Sequence, residues 1–104
     1  MDAPSLKIKV ERDGDRTALK LSGELDFSSV GELRQVLLAE GSSSGHRVEL
    51  DMADVSFIDS MGLSLLLQAK YQREANGGTM SLTSITDRVR RVLELADVEA
   101  DLTS

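Results

Sequence analysis

The chain has 104 residues, 40% of them hydrophobic and 29% charged, with one proline, no tryptophan, no cysteine and a formal net charge of -6. That length suits one small domain, burying about two thirds of its unfolded surface on folding, and the balance is that of an ordinary soluble globular protein. The lack of cysteine excludes disulfides, thiolate metal sites and cysteine nucleophiles and suits a reducing compartment, while the acidic balance repels nucleic-acid phosphates and leaves a protein as the natural partner.

Phe27, Phe57 and Tyr71 are too few aromatic rings for a base-stacking platform. Met1-Asp2-Ala3-Pro4 lacks the basic start of a signal peptide, and the longest purely apolar run, Leu65-Leu66-Leu67, falls far short of the roughly 20 residues that cross a bilayer. The expectation is a cytoplasmic protein with no membrane contact, one domain over 1–104 with its core in 5–98 and flexible tails at 1–4 and 99–104.

Leu6 to Glu11 alternates apolar and polar, the period of a strand with one wet face, and Arg16 to Gly23 repeats it more loosely. Asp13-Gly14 between them predicts a tight turn and an antiparallel hairpin. Asp13 and Asp15 lack the later acidic ligands of a calcium loop. Gly23-Glu24-Leu25-Asp26 then leads into a helical stretch from Phe27 to Glu40, with Val30, Leu33, Leu37 and Leu38 on one face and Asp26, Ser28 or Ser29 as its cap. Gly41-Ser42-Ser43-Ser44-Gly45 reads as a flexible surface loop.

Arg47 to Met52 alternates again as a third strand, and after a short turn Val55 to Ile58 forms a second apolar segment. The helix from about Met61 to Ala75 presents Leu63, Leu66, Leu67 and Tyr71 at helical spacing, with Lys70, Arg73 and Glu74 available to water. Asn76-Gly77-Gly78 stops it. Thr79 to Thr83 is a further strand, and Thr86-Asp87 caps a last helix lined by Val89, Val92, Leu93 and Ala96. The predicted fold is α/β: a mixed four- to five-stranded sheet with an N-terminal antiparallel hairpin and packed helices.

The chain is organised around Asp59-Ser60, where an apolar strand turns into an apolar helix. Both side chains suit the free N–H groups of a helix's first turn, and the positive end of the helix dipole also suits a phosphoryl group. Ser60 is therefore a cap or a switch. Loops that enter helices at strand ends are where sites tend to form in such sheets, and Asp26 lies at a second loop of that kind.

Ser22-Gly23-Glu24-Leu25-Asp26 before the first helix, Asp59-Ser60-Met61-Gly62-Leu63 before the second and Gly77-Gly78 before the last strand together resemble the anti-sigma factor antagonists, a bacterial family built on the STAS domain. The likeness runs from about Leu6 to Ala96. It implies a non-enzymatic regulator whose Ser60 is phosphorylated by an anti-sigma factor that is also a serine kinase, and dephosphorylated by a metal-dependent phosphatase. The unphosphorylated form would bind the anti-sigma factor and free the sigma factor. The resemblance gives Asp26 a place in partner contact, and Asp59, Ser60, Met61, Gly62 and Ser64 are the other docking candidates. Many relatives carry serine or threonine after the phosphorylated serine; Met61 stands there here, so Ser60 is alone. The family also continues after the third helix with a short segment and a final helix, for which Val98 to Ser104 leaves little room.

The alternative that the same resemblance implies for this chain is a STAS docking subunit of a larger assembly, such as a stress-signalling scaffold or a lipid transporter, not regulated by phosphorylation. A serine hydrolase would need His46, the single histidine, beside Ser60, and neither a Gly-x-Ser-x-Gly elbow nor an oxyanion loop accompanies the serine. Arg88, Arg90 and Arg91 read as a solvated face. No glycine-rich phosphate loop supports nucleotide hydrolysis, and no cofactor or metal is implied for the chain itself.

Overall fold

The computed structural model describes residues 5–40 and 45–104. The expected tail at 1–4 and most of the expected loop at 41–45 lie outside them. The described elements run β1 (Leu6–Asp13), β2 (Arg16–Leu25), α1 (Val30–Ala39), β3 (Arg47–Ile58), α2 (Ser60–Ala75), β4 (Thr79–Ile85), α3 (Asp87–Leu95) and α4 (Glu99–Thr103). They form a four-stranded mixed sheet in the order β1-β2-β3-β4, antiparallel between β1 and β2 and parallel elsewhere. The turn of the hairpin is Gly14-Asp15, one residue later than Asp13-Gly14, because Asp13 still pairs with Arg16; Gly14 supplies the positive φ of 62°.

Alternation makes the sheet one-sided. Leu6 on β1, Leu19 and Leu21 on β2, Val48, Leu50 and Met52 on β3, and Met80 and Leu82 on β4 are buried in one core with residues of every helix. Lys7, Lys9, Lys20 and Thr83, at the alternate positions, are exposed. The predicted break between the third strand and Val55 to Ile58 is instead a change of step within β3. Buried positions 48, 50 and 52 give way to 55 and 58, and shifts of register against β2 near Lys20 and Gly23 absorb the difference.

Several surface assignments are corrected. Lys70 and Arg73 of α2, expected in water, are each only 9% exposed. Lys70 Nζ donates to the Met80 and Ser104 carbonyls at 3.1 and 3.3 Å. Arg73 Nη2 donates to the carbonyls of Leu37 and Glu40 at 2.7 Å, satisfying the open end of α1. The α2 stripe follows Leu65, Leu66, Ala69 and Arg73, leaving Tyr71 exposed, and Leu38 likewise sits off the row of Val30, Leu33 and Leu37. On α3 only Val89 and Leu93 are fully buried; Val92 is half-buried and Ala96 is exposed.

The expected tail at 99–104 is also corrected. Glu99–Thr103 is the short helix α4, and Leu102 is fully buried in the core. Asp97, at a φ of 58°, reverses the chain between α3 and α4, and Arg90 of the otherwise solvated arginine face bonds Glu99.

Candidate functional site

The corner forms where β2 and β3, which are parallel, end side by side at Leu25 and Ile58. Each strand then feeds a helix, so the loop 26–29 and the residues 59–60 emerge at the same edge of the sheet. Asp59 is the N-cap of α2: its Oδ1 accepts the Gly62 N–H at 2.9 Å, and its own N–H bonds the Leu25 carbonyl at 3.2 Å. Its Oδ2 accepts the Phe27 N–H, also at 2.9 Å. One carboxylate therefore caps a helix and ties down the neighbouring loop.

Because Asp59 does the capping, Ser60 is the first residue of α2 rather than its cap. Its side chain is exposed and makes no hydrogen bond to the described residues. Met61 is 51% exposed, and Ser64, one turn along, is exposed too. Gly62, also expected as a contact, differs from its neighbours in being buried. A Cβ there would lie 2.6 Å from the Leu25 carbonyl oxygen and 2.9 Å from Leu25 Cγ. Its part is to let α2 start against the end of β2.

Asp26 organises the other loop. Its Oδ1 accepts the Ser28 hydroxyl at 2.6 Å and the Ser28 N–H at 3.0 Å. The Ser28 hydroxyl is the main cause that holds the Asp26 carboxyl below its usual range, so Asp26 is an anion at neutral pH. Of the three cap candidates for α1, Ser29 holds the cap position, yet its hydroxyl donates to the Glu24 carbonyl at 2.9 Å and gives no side-chain cap bond to the helix.

Phe27, at 75% exposure, adds apolar surface to the 26–29 loop, and Phe57, at 41%, is exposed one residue before the end of β3. Sequence reasoning did not single them out as site residues. The available signal was that Phe27 follows Asp26 outside the buried helical stripe. His46 lies at the opposite end of β3, a strand of 12 residues at about 3.3 Å each, and its Nε2 sits 2.8 Å from Thr17 Oγ1. A Ser60–His46 pair is therefore absent. Among the described residues no three His, Asp or Glu side chains gather as metal ligands, and no helix is long and apolar enough to cross a membrane.

A one-sided mixed sheet whose parallel strand ends present an acidic loop and a serine at a helix start defines a small α/β module of the STAS class. The chain belongs to the STAS domain family: residues 8–104 match the family described as "Mlab, STAS domain". The anti-sigma-B factor antagonist of Staphylococcus epidermidis is 27% identical over 95 residues, covering 91% of this chain and 88% of that protein. Among solved structures, an anti-sigma factor antagonist from Mycobacterium paratuberculosis superposes with a TM-score of 0.82 at 23% identity, covering 98% of this chain and 87% of that one. The anti-sigma factor antagonist SpoIIAA in its unphosphorylated form gives 0.77 at 24% identity, covering 94% and 86%. These two likenesses bear on the fold.

Proposed function

We propose that this protein is a non-catalytic, cytoplasmic anti-sigma factor antagonist that regulates transcription by partner switching. In this reading the unphosphorylated chain docks an anti-sigma factor serine kinase through Asp26, Ser60, Met61 and Ser64, with Phe27 alongside. Docking frees the sigma factor. The kinase carries the ATP and transfers its γ-phosphoryl group to Ser60 Oγ, with ADP as leaving group and the hydroxyl proton passing to a base of the kinase. A metal-dependent phosphatase hydrolyses the phosphoserine and resets the cycle.

The observation that supports this reading is the division of labour at the corner: Asp59 holds the cap, and the Ser60 hydroxyl is exposed and uncommitted. The reading also draws on the relative named as an anti-sigma-B factor antagonist. A phosphoryl group there adds about -1.5 to -2 charge beside the carboxylates of Asp59 and Asp26. The N-terminus of α2 tolerates that charge, whereas a partner surface fitted to a neutral hydroxyl would have to desolvate a dianion. The switch acts on the surface and leaves the fold intact.

The runner-up is the unphosphorylated docking subunit, favoured by the family description naming Mlab and by Met61 in place of a second hydroxyl residue. One experiment separates them. The protein is incubated with candidate anti-sigma kinases and ATP, the phosphoryl group is located by peptide mass spectrometry, and Ser60→Ala is the control. Stoichiometric phosphate on Ser60 with release of the kinase supports the switch. No phosphate with any candidate, together with a stable complex with a transporter ATPase, moves the assignment to the docking subunit.

A further inference from the structure

Among the described residues β1 is a terminal strand whose sheet partner is β2 alone. The Ser5 carbonyl accepts the Glu24 N–H at 2.6 Å, and a tight turn closes with the hydrogen bond between its first and fourth residues, here Asp13 and Arg16. Odd-numbered residues of β1 therefore aim their backbone groups at β2, while those of Ile8, Val10 and Arg12 face outward. On the open face of the sheet the exposed side chains read Lys7, Lys9, Glu11, Asp13. Ile8 and Val10, on the other face, are half-buried at the margin of the core.

We propose that this edge pairs with a second copy of the chain, antiparallel about a two-fold axis at Val10, joining two four-stranded sheets into one. In that register the outward backbone groups of Val10 meet those of the second copy's Val10, and Ile8 meets Arg12. Lys9 then faces Glu11 and Lys7 faces Asp13, each twice by symmetry. These are the non-hydrogen-bonded positions, where side chains of an antiparallel pair come closest. Moving the axis one residue either way keeps the backbone parity but sets Lys9 against Lys9 or Glu11 against Glu11. The charge order thus selects one register, and the half-buried Ile8 and Val10 gain cover in it.

Lysines on an edge strand commonly guard it against association. Here two lysines are followed by two acids at the same spacing, so an antiparallel copy meets opposite charge throughout. The net charge of -6 on each copy opposes the pairing, but it is screened beyond about 10 Å at 0.1 M salt, while the cross-strand pairs are in contact. The start of β1 lies against the 26–29 loop, where the Ser5 and Ser28 hydroxyls are 3.4 Å apart, and the pairing is centred further along the strand at Val10.

Sedimentation velocity of the full chain from micromolar to near-millimolar concentration tests this. The expected result is a reversible monomer–dimer equilibrium. Lys9→Glu is expected to weaken it about tenfold or more, since two attractive pairs become repulsive, and the double exchange Lys9→Glu with Glu11→Lys is expected to restore it. Lys9 lies opposite Lys20 within the chain, so Lys9→Glu relieves a like-charge pair and leaves the monomer folded. Val10→Pro removes an outward N–H that β2 does not use, and is expected to abolish the dimer with the circular dichroism spectrum retained. A chain that stays monomeric throughout overturns the proposal, as does a dimer that survives both Lys9→Glu and Val10→Pro.

Discussion

Asp59 and Phe27 are joined by a 2.9 Å hydrogen bond from the Phe27 backbone to the Asp59 carboxylate, whose other oxygen caps α2. Asp59→Ala leaves both N–H groups to water. Loss of a cap costs about 1 kcal/mol, up to about 2 where a second bond goes with it. In a domain of this size the melting temperature then falls by about 4–8 °C per kcal/mol. Asn keeps one acceptor oxygen, so Asp59→Asn should fall between wild type and Ala in thermal unfolding followed by circular dichroism.

Gly62→Ala sets two effects against each other. Alanine is the better helix former by up to about 1 kcal/mol, but its methyl would stand 2.6 Å from the Leu25 carbonyl and 3.0 Å from Ile58 Cγ1. Overpacking of that kind costs about 1–3 kcal/mol, and the near atom is backbone, which cannot swing aside. The variant is expected to be less stable in urea titration. A gain in stability would mean that α2 shifts freely at its start.

The comparison of sequence and structure follows the same physics. The hairpin, the helix starts at Asp59 and Thr86 and the Asp-Ser corner are local signals, written in turn and cap residues, and they are found within a residue of where they were read. What escaped are contacts between elements distant in the chain. Arg73 looks like a solvated residue until the open end of α1, 33 to 36 residues earlier, needs its guanidinium. Leu102 sits in a polar closing segment that gives no period, yet the core has a place for it. The exposure of Leu38 and Tyr71 follows from which turn of each helix meets the sheet, and periodicity leaves that undecided by one position.

Leu102→Ala tests the closing helix directly. A flexible tail would lose nothing, whereas truncating a leucine with no exposed surface costs about 2–5 kcal/mol. Chemical denaturation should show a lower midpoint with little change in slope.

Glu40, at 5% exposure, sets an acid limit on stability. The Arg12 guanidinium bonds both of its carboxylate oxygens, and the Thr17 hydroxyl adds a third bond at 3.3 Å. Arg12 holds the carboxyl below its usual range, against the opposing effect of burial. A carboxyl more acidic when folded contributes stability that is present above its unfolded pKa, about 4.3, and lost as the pH falls through its folded value. Asp26 acts in the same direction through Ser28. Urea midpoints should therefore drop below about pH 4, and Glu40→Gln should flatten part of that drop while lowering stability at neutral pH.

Ser60 separates fold from switch. Its side chain is exposed and bonds none of the described residues, so Ser60→Ala should change stability by no more than about 0.5 kcal/mol. Ser60→Glu places a charge where the α2 dipole favours it by about 0.3–1 kcal/mol, offset by Asp59 next to it, so it too should fold normally. Their binding should diverge. Under the proposed function, titration calorimetry against an anti-sigma factor kinase should find Ser60→Ala close to wild type and Ser60→Glu weaker by at least about tenfold, because burying an unpaired carboxylate against the partner costs more than about 1.4 kcal/mol. Equal binding by both variants would show that this serine lies outside the docking surface and would remove the basis for a phosphoryl switch at the corner.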